Sequence, residues 1–281
     1  MKRITGGQAV VKTLEACAVK TIFGIPGLHN LAVYEALLDS SIRHITARHE
    51  QGSGFMAYGY ARSSGEVGAA LVISGPGLTN ILTPLGEAFH ESVPILLISS
   101  NIPTRFQSIR SGMLHELADS TLMVRSVCKE SRTVTVAEKI PLYIAEAYSL
   151  AKIGRPGPVH VEIPLDLLQQ QIVALTHGEL ENIVISMENP APLVSADRLN
   201  MAADTLMASG HPVIIAGSGA CRANHELAEL AERLGAPVLL TTGGKGVMDE
   251  RHPLCVGACH HFPAVQDFVV LNITQIYLPT A

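Results

Sequence analysis

The sequence has no tryptophan, few aromatic residues and no cluster of basic side chains. Aromatic residues make up 4% of its 281 residues, and the formal net charge is −5 at pH 7. Proteins that bind nucleic acid present basic patches, and those that bind single strands add aromatic side chains on which the bases stack. The composition argues against such a surface, and we expect no nucleic-acid partner.

Cysteine is scarce, and long apolar runs are missing. Five cysteines are spread from Cys17 to Cys259, unlike the dense cysteines of a small disulfide-stabilised domain. The sequence contains no run of 18 apolar residues and no signal-peptide pattern, so we expect a cytoplasmic protein with no membrane partner. With 47% hydrophobic and 16% charged residues, the chain can bury a substantial core.

Short apolar runs alternate with helical patterns through the first 170 residues. Thr5 and Gln8 have the spacing of a capping box at the start of a helix. Continuous apolar strands separated by helices are typical of a parallel sheet that is covered on both faces. The pattern therefore predicts an α/β fold with a doubly wound parallel sheet, and a less regular stretch at 101–134. The predicted strands lie in "KTIFG", "IRHITA", "GAALVI", "VPILLIS" and "GPVHVEIP".

The chain is expected to contain two domains. We assign residues 1–170 to the first domain, 171–191 to a linker and 192–281 to a partial second α/β domain. The second domain shows two apolar strands, "PVIIAG" and "APVLLTT", each preceded by a helical pattern. The expected third strand is replaced by "VVLNITQIYLPTA", which predicts that this domain is truncated.

Three turns are candidates for a binding site. They lie in "GIPG" (24–27), "RHEQG" (48–52) and "SGPGLTN" (74–80), each between a predicted strand and the following helix. Such turns open at the carboxyl edge of a parallel sheet, where ligands bind. None matches a Walker loop or a GxGxxG fingerprint, and each one alone is more typical of structure than of binding. Together they predict one crevice.

Glu50, in the second of these turns, has two interpretations. A glutamate in the first helical turn is favoured by the helix dipole and can pair with Arg48. Alternatively, a partly desolvated carboxylate can share a proton with a ligand nitrogen. The glycines that follow, Gly52, Gly54 and Gly59, favour a close backbone approach, since each interior glycine costs about 0.5–1 kcal/mol relative to alanine.

The same stretches resemble a known family. Residues 3–170 resemble the pyrimidine-binding domain of thiamine-diphosphate enzymes of the acetolactate synthase-like group. Residues 192–260 resemble the central domain of these enzymes, through "PVIIAGSGA" and "APVLLTTGGKG". Five motifs of the first domain match in order and spacing: "FGIPG", "RHEQGSGFMAYGYAR", "SGPGLTN", "SVPILLIS" and "GRPGPVHVEIP".

The resemblance implies a role for Glu50. The family's glutamate contacts the aminopyrimidine ring nitrogen and shares a proton with it. This favours the imino tautomer of the cofactor, which takes the proton from the thiazolium carbon. That carbon then attacks a 2-oxo acid. By this resemblance Glu50 activates thiamine diphosphate. The resemblance also assigns cofactor-binding positions in the turns that line the pyrimidine pocket: Pro26, Gly27, Gly75, Pro76 and Asn80.

His115, in "GMLHELAD", is a second catalytic candidate. Many acetolactate synthases have a glutamine at this position, whereas histidines act as acids or orient the substrate carboxylate in decarboxylase relatives. The alternative is a solvent-facing loop histidine. This difference leaves open carboligation, simple decarboxylation and a third possibility, a non-catalytic fragment that only associates with a full-length relative. His29, beside the first turn, is a weaker candidate.

Other motifs carry little functional signal. Lys245 in "GGKG" is interpreted as a central-domain turn, and "GSGACRA" departs from a dinucleotide fingerprint at Arg222. The cysteines and histidines at 255–261 lack regular zinc spacing, so we predict no metal ligands in this chain. Some relatives bind FAD, and the residues leave FAD binding open.

The family's Gly-Asp-Gly segment, which belongs to a third domain that holds the diphosphate and Mg²⁺, does not occur in the sequence. We therefore expect the front half of an enzyme, with Mg²⁺ bound only in the full-length form. The resemblance also implies a homodimer or homotetramer acting on a 2-oxo acid substrate. The chain alone is expected to be inactive and prone to association through an open sheet edge.

Overall fold

A computed structural model describes residues 2–187 and 194–258 of the chain. The chain divides into two compact units, Met1–Ala191 and Pro192–Ala281. No helix among the described residues is both long enough and apolar enough to cross a membrane.

The first unit alternates strands and helices from its start. Its strands are β1 (Arg3–Thr5), β2 (Thr21–Gly24), β3 (Arg43–Thr46), β4 (Gly68–Val72), β5 (Ile95–Asn101), β6 (Glu130–Thr133), β7 (Pro158–Pro164) and β8 (Gln171–Val173). Its helices are α1 (Gly6–Ala16), α2 (Leu31–Leu37), α3 (Glu50–Ser64), α4 (Pro76–Asn80), α5 (Leu82–His90), α6 (Ser120–Arg125), α7 (Ile140–Lys152), α8 (Leu165–Gln169) and α9 (His177–Met187). Short 3₁₀ turns occur at Thr104–Phe106 and Ala137–Lys139.

Six of these strands form a parallel sheet in the order β3-β2-β4-β5-β7-β6. Alternate residues of β5 enter two separate cores, because successive side chains of a strand point to opposite faces. Leu96 and Ile98 pack with α1 and α7, whereas Ile95 and Leu97 pack with α3 and α5. The predicted α/β fold with a doubly wound parallel sheet is therefore confirmed.

Local sequence signals fix the start of the chain as predicted. Thr5 accepts a hydrogen bond from the Gln8 backbone N–H at 3.1 Å, and the Gln8 side chain accepts one from the Thr5 N–H at 3.0 Å. This reciprocal capping box begins α1, whose apolar face is buried against the sheet.

Two segments expected to be less regular or to form a linker contain regular elements. Residues 101–134 contain β6, an edge strand with the alternating polar sequence Glu130–Thr133, which has no apolar run to signal it. Residues 171–187, expected to be part of a linker, contain β8 and α9. β8 pairs antiparallel with β1, and Leu180 of α9 is 4% exposed in the core between α1 and α7. Pairing and burial against distant residues stabilise these segments. The local sequence pattern indicates neither of them.

The second unit contains a three-stranded parallel sheet in its described part. Its elements are α10 (Ala196–Ala208), β9 (Ile214–Ala216), α11 (Asn224–Leu234), β10 (Val238–Leu240) and β11 (Cys255–Ala258). The order is β11-β10-β9, so the expectation of only two strands was wrong. β11 is a run of only four residues and contains Gly257 at φ +88°, so it gives a weak strand signal. The stretch "VVLNITQIYLPTA" lies outside the described residues.

A buried histidine connects the three strands at one side of the larger sheet. His160 of β7 is fully buried, and its Nε2 and Nδ1 each lie 2.7 Å from a serine hydroxyl, Ser99 of β5 and Ser131 of β6. Burial lowers the pKa of His160 from 6.5 to about 3. Both ring nitrogens are satisfied only while the adjacent strands keep this register.

We predict that His160 makes the first unit less stable in mild acid. Its folded pKa of about 3 lies below the unfolded value, so the unfolded chain binds the proton first as the pH falls. The stabilisation is complete above about pH 6.5, and roughly 2 kcal/mol of it is lost by pH 5. In His160→Gln, the difference in unfolding free energy between pH 7 and pH 5, measured by urea denaturation, should shrink by that amount. His90→Gln, on the exposed end of α5, is the control, and an unchanged difference in His160→Gln would contradict the assignment.

Candidate active site

The predicted turns meet at one edge of the sheet. β3, β2 and β4 are adjacent and parallel, so their carboxyl ends open on the same side. The turn after β2 carries Pro26 and Gly27, α3 begins at Glu50 directly after the turn that follows β3, and the turn after β4 carries Gly75 and Pro76. The sheet thus brings together segments that are up to 50 residues apart in sequence.

Glu50 is the first residue of α3 and is only partly exposed. The Asn80 side-chain amide donates a hydrogen bond of 2.9 Å to Glu50 Oε2. The other oxygen, Oε1, faces Gly77, where a Cβ atom would lie 3.6 Å away. Among the described residues, no side chain hydrogen-bonds Oε1 and no ion pair forms with Arg48. The structure therefore does not support the pairing of Glu50 with Arg48.

A buried tyrosine lies near this carboxylate. Tyr34 is 8% exposed, and its hydroxyl donates to the Leu71 carbonyl at 3.3 Å. Burial, and second the negative charge of Glu50, raise the pKa of Tyr34 well above its usual range. Glu50 thus lies at the carboxyl edge of the sheet, near the buried side chain of Tyr34.

The first proline-glycine turn is held by Asn30. Its side-chain oxygen accepts a hydrogen bond from the Gly27 N–H at 2.8 Å, and the Asn30 side chain itself is fully buried. A Cβ atom on Gly27 would lie 2.5 Å from Ile73 Cδ1, so the turns after β2 and β4 touch at this glycine. Pro26 and Pro76 are exposed at the mouth of the crevice.

Only one of the three glycines at the start of α3 is explained by close packing. A Cβ atom on Gly54 would lie 2.3 Å from Pro84 Cγ and 2.8 Å from Ile81 Cγ1. At Gly52 and Gly59 it would meet nothing within 4 Å in the part of the chain that the structure describes. The expected close backbone approach therefore applies to Gly54, where α3 packs on α5.

His115 lies against the third turn. A Cβ atom on Gly75 would fall 2.7–2.8 Å from the Cα, Cβ and carbonyl oxygen of His115. His115 has φ +65°, a left-handed conformation that is uncommon for residues other than glycine. The structure thus brings His115 to the turn that carries Gly75 and Pro76, where the loop residue is partly exposed and its Nδ1 is buried.

Two further polar residues of this region are buried. His29 is 2% exposed and its Nδ1 lies 2.8 Å from Ser74 Oγ, while its ring stands perpendicular to that of His115 with centroids 5.8 Å apart. Sequence reasoning treated His29 as weak and passed over Ser74. Their positions next to proline-glycine turns were the available signal, but only the tertiary structure shows that they meet.

Other candidates stand apart from this edge. Lys245 follows a short turn of the second unit, in keeping with a structural role. Within residues 2–187 and 194–258, no group of three or more His, Cys, Asp or Glu side chains is arranged to hold a metal ion. Cys259, His260 and His261 lie outside the described residues.

Gly75 should be the least replaceable glycine of the site. Gly75→Ala requires an alanine at φ +63° and forces a methyl group into His115, so we expect a loss of about 1–3 kcal/mol in unfolding free energy. Gly59→Ala is the matched control, because that glycine is helical and its surroundings are open, and it should gain about 0.5–1 kcal/mol. Urea denaturation of both variants tests this, and equal effects would contradict the tight contact at Gly75.

Comparison with known proteins gives two consecutive matches within one family. Residues 4–123 match the domain described as "Thiamine pyrophosphate enzyme, N-terminal TPP binding domain". Residues 199–268 match "Thiamine pyrophosphate enzyme, central domain". The matched N-terminal domain indicates thiamine diphosphate as the cofactor, and it contains the three turns, Glu50 and His115.

Individual relatives belong to two named activities. A probable 2-ketoarginine decarboxylase of Pseudomonas aeruginosa is 42% identical over 257 residues, which cover 92% of this chain and 45% of that protein. The acetolactate synthase of Arthrospira platensis is 35% identical, with 97% and 48% covered, and the large subunit of acetolactate synthase isozyme 1 of Escherichia coli is also 35% identical, with 91% and 44% covered. The chain thus spans about half the length of these relatives. It belongs to the thiamine pyrophosphate enzyme family.

Proposed function

We propose that this chain is the part of a thiamine-diphosphate-dependent 2-oxo acid decarboxylase or carboligase that binds and activates the aminopyrimidine of the cofactor. One observation carries the proposal: a carboxylate stands at the carboxyl edge of the sheet with one oxygen fixed by Asn80 and the other without a partner among the described residues. A single free oxygen on a fixed carboxyl group is suited to one directed hydrogen bond to a ring nitrogen.

The residues present fit the pyrimidine end of thiamine diphosphate. Gly77, beside Glu50 Oε1, presents no side chain that would obstruct a flat ring. Gly27, Gly75 and Gly77 let the turns after β2 and β4 lie close to their neighbours, since a Cβ atom at any of the three would collide with an adjacent residue.

Each residue then has a defined task. Asn80 donates to Glu50 Oε2 and so fixes the direction of Oε1, where Glu50 holds the shared proton. Pro26, Gly27, Gly75 and Pro76 shape the walls of the ring site. Bound thiamine diphosphate supplies the carbon nucleophile and electron sink that decarboxylation of a 2-oxo acid needs.

His115 is proposed to meet the substrate. Its loop carries it to Gly75, between the turns that line the pyrimidine site. An imidazole there can hydrogen-bond a carboxylate or transfer a proton to the product carbon. The relative named as a 2-ketoarginine decarboxylase supports decarboxylation of a 2-oxo acid, and the acetolactate synthases support carboligation as the second candidate.

Mg²⁺ and the diphosphate are expected to bind to another part of the whole enzyme. Two copies of the chain are expected to associate. Exposed apolar side chains near the crevice support such association: Leu28 is 60% exposed, Leu31 44% and Phe55 41%. Turnover is expected from the whole enzyme and not from this chain by itself.

Glu50 can be tested on the chain with thiamine, which contains the pyrimidine but no diphosphate. Glu50→Ala should weaken binding about 10- to 100-fold, since a hydrogen bond to a charged group contributes about 1.5–3 kcal/mol. Glu50→Gln should bind more nearly like the parent, because an amide still forms the hydrogen bond. Ligand-observed NMR titration measures these affinities. Glu87→Ala, an exposed site on α5, is the control, and equal affinities of Glu50→Ala and the parent would remove Glu50 from the site.

Activation has a separate readout in the whole enzyme. Glu50→Gln cannot supply the shared proton, so exchange of the thiazolium C2 proton should slow by about 10²- to 10⁴-fold. NMR of quenched samples follows this exchange. An unchanged rate would leave Glu50 with a binding role only.

His115→Gln should change substrate preference more than stability. We expect kcat/KM for pyruvate relative to longer 2-oxo acids, or the ratio of decarboxylation to carboligation, to change by about tenfold or more. Product analysis of the whole enzyme measures both, with His90→Gln as the control. An identical product profile for His115→Gln and the parent would exclude contact between His115 and the substrate.

A further inference from the structure

Three segments bring two imidazoles together beside the proposed pyrimidine site. His29 comes from the turn after β2, Ser74 from the turn after β4, and His115 from the loop 102–119 that connects β5 to α6. These are the same turns that carry Gly27, Gly75 and Pro76. The pair of histidines therefore adjoins the proposed cofactor crevice.

His29 is fixed on one side only. Its Nδ1 lies 2.8 Å from Ser74 Oγ, and the Ser74 backbone N–H donates to Ser100 Oγ at 3.2 Å, which ties the serine to β5. Among the described residues, the His29 ring makes no other hydrogen bond. A buried imidazole whose one nitrogen is anchored in this way has a defined ring orientation.

His115 meets this ring with an unsatisfied nitrogen. Its Nδ1 is buried and has no hydrogen-bond partner among the described residues. The backbone beside it is held rigidly, since Glu116 Oε2 accepts hydrogen bonds from the Gly112 and Met113 N–H groups at 2.7 and 3.2 Å. A buried nitrogen without a hydrogen-bond partner is destabilising, so its presence beside the proposed cofactor crevice points to a ligand or a proton that satisfies it.

The two rings also interact electrostatically. Burial, and second the nearby His115, lower the pKa of His29 below its usual value. Two imidazoles with ring centroids 5.8 Å apart repel each other when both are protonated.

We propose that His29 is a positioning residue for His115: anchored by Ser74, its ring holds the His115 imidazole edge-on and leaves His115 as the group that meets the carboxylate of a 2-oxo acid. The identity of the anion rests on the proposed function. The contact between the two histidines and the serine does not depend on that function.

The serine anchor is tested first, on the 281-residue chain labelled with ¹³C and ¹⁵N at histidine. Ser74→Ala should shift the ring resonances of both His29 and His115. Thr79→Ala removes a hydroxyl from the neighbouring helix that, among the described residues, bonds only the Pro76 carbonyl, and should shift neither. Unchanged His115 resonances in Ser74→Ala, with the fold verified by circular dichroism, would overturn the proposal.

Coupling of the rings has a readout that a purely structural role would not change. In His115→Gln, the pKa of His29 should rise, because the repulsion from His115 is removed. It should stay below the usual histidine value, because burial is the larger cause and remains. A His29 titration identical to that of the parent would show that the rings are not coupled, and would overturn the proposal.

Anion contact is tested by adding pyruvate to the labelled chain without cofactor. His115 resonances of the parent should shift in a saturable way, and His29→Phe, which keeps an aromatic ring but loses the serine anchor, should weaken this response at least threefold. If His29→Phe does not fold, Ser74→Ala takes its place in the same titration. An equal response in parent and variant would overturn the positioning role.

These measurements separate the two proposals. If the histidine coupling is observed while Glu50→Ala binds thiamine like the parent, the proposed function fails and the positioning role of His29 stands. If Glu50→Ala loses thiamine while His115 is insensitive to Ser74 and His29, the positioning role fails alone.

Discussion

The parallel pairing of β3, β2 and β4 is the constraint on which the site depends. Because all three strands run in the same direction, their carboxyl ends open on one edge, and each following turn must contribute to the same crevice. The turns can approach closely because they contain glycines at the contact points. Gly27 meets Ile73, Gly75 meets His115 and Gly77 faces Glu50. Larger residues would separate these turns.

The crevice has two chemically different ends. One is a carboxylate whose direction is set by Asn80 and whose surroundings become apolar toward Tyr34. The other is a pair of imidazoles, His29 and His115, arranged around Ser74. An acid that shares a proton with a base suits activation of an aminopyrimidine, and imidazoles suit an anionic substrate. Both ends contact the segment that follows β4, through Asn80 at the carboxylate and Ser74 at the imidazoles.

The loop that carries His115 is anchored near both of its ends. Thr104 at its start donates from its backbone N–H to Asp166 Oδ1 at 3.0 Å. The buried Glu162 of β7 accepts from Thr133 Oγ1 at 2.8 Å, and Asn101 and Ser120, which flank the loop, lie close to this carboxyl group. Burial raises the pKa of Glu162, so the carboxyl group favours its protonated form more than an exposed glutamate does. Together with Ser99, His160 and Ser131, this polar layer fixes the side of the sheet from which the loop departs.

The sequence by itself determined the elements whose signals are local. The capping box of Thr5 and Gln8, the apolar runs of β4 and β5, and the proline-glycine turns specify strand, helix and turn without reference to distant residues. The position of Glu50 at the start of a helix on the sheet edge followed from the same periodicity. The edge strands β6 and β11, and the segment of β8 and α9, were missed because they are stabilised by pairing and burial against residues far along the chain.

Only the tertiary structure decided which polar side chains meet. His29, Ser74 and His115 are separated by more than 40 residues at each step, and His115 reaches Gly75 through an irregular loop with several residues at positive φ. The periodicity of apolar residues does not indicate which part of the fold such a loop contacts. The pairing of Glu50 with Asn80, 30 residues apart, depends equally on the packing of α3 against α4. Sequence patterns indicate where each strand lies along the chain. Which turns touch depends on how the folded sheet places neighbouring strands.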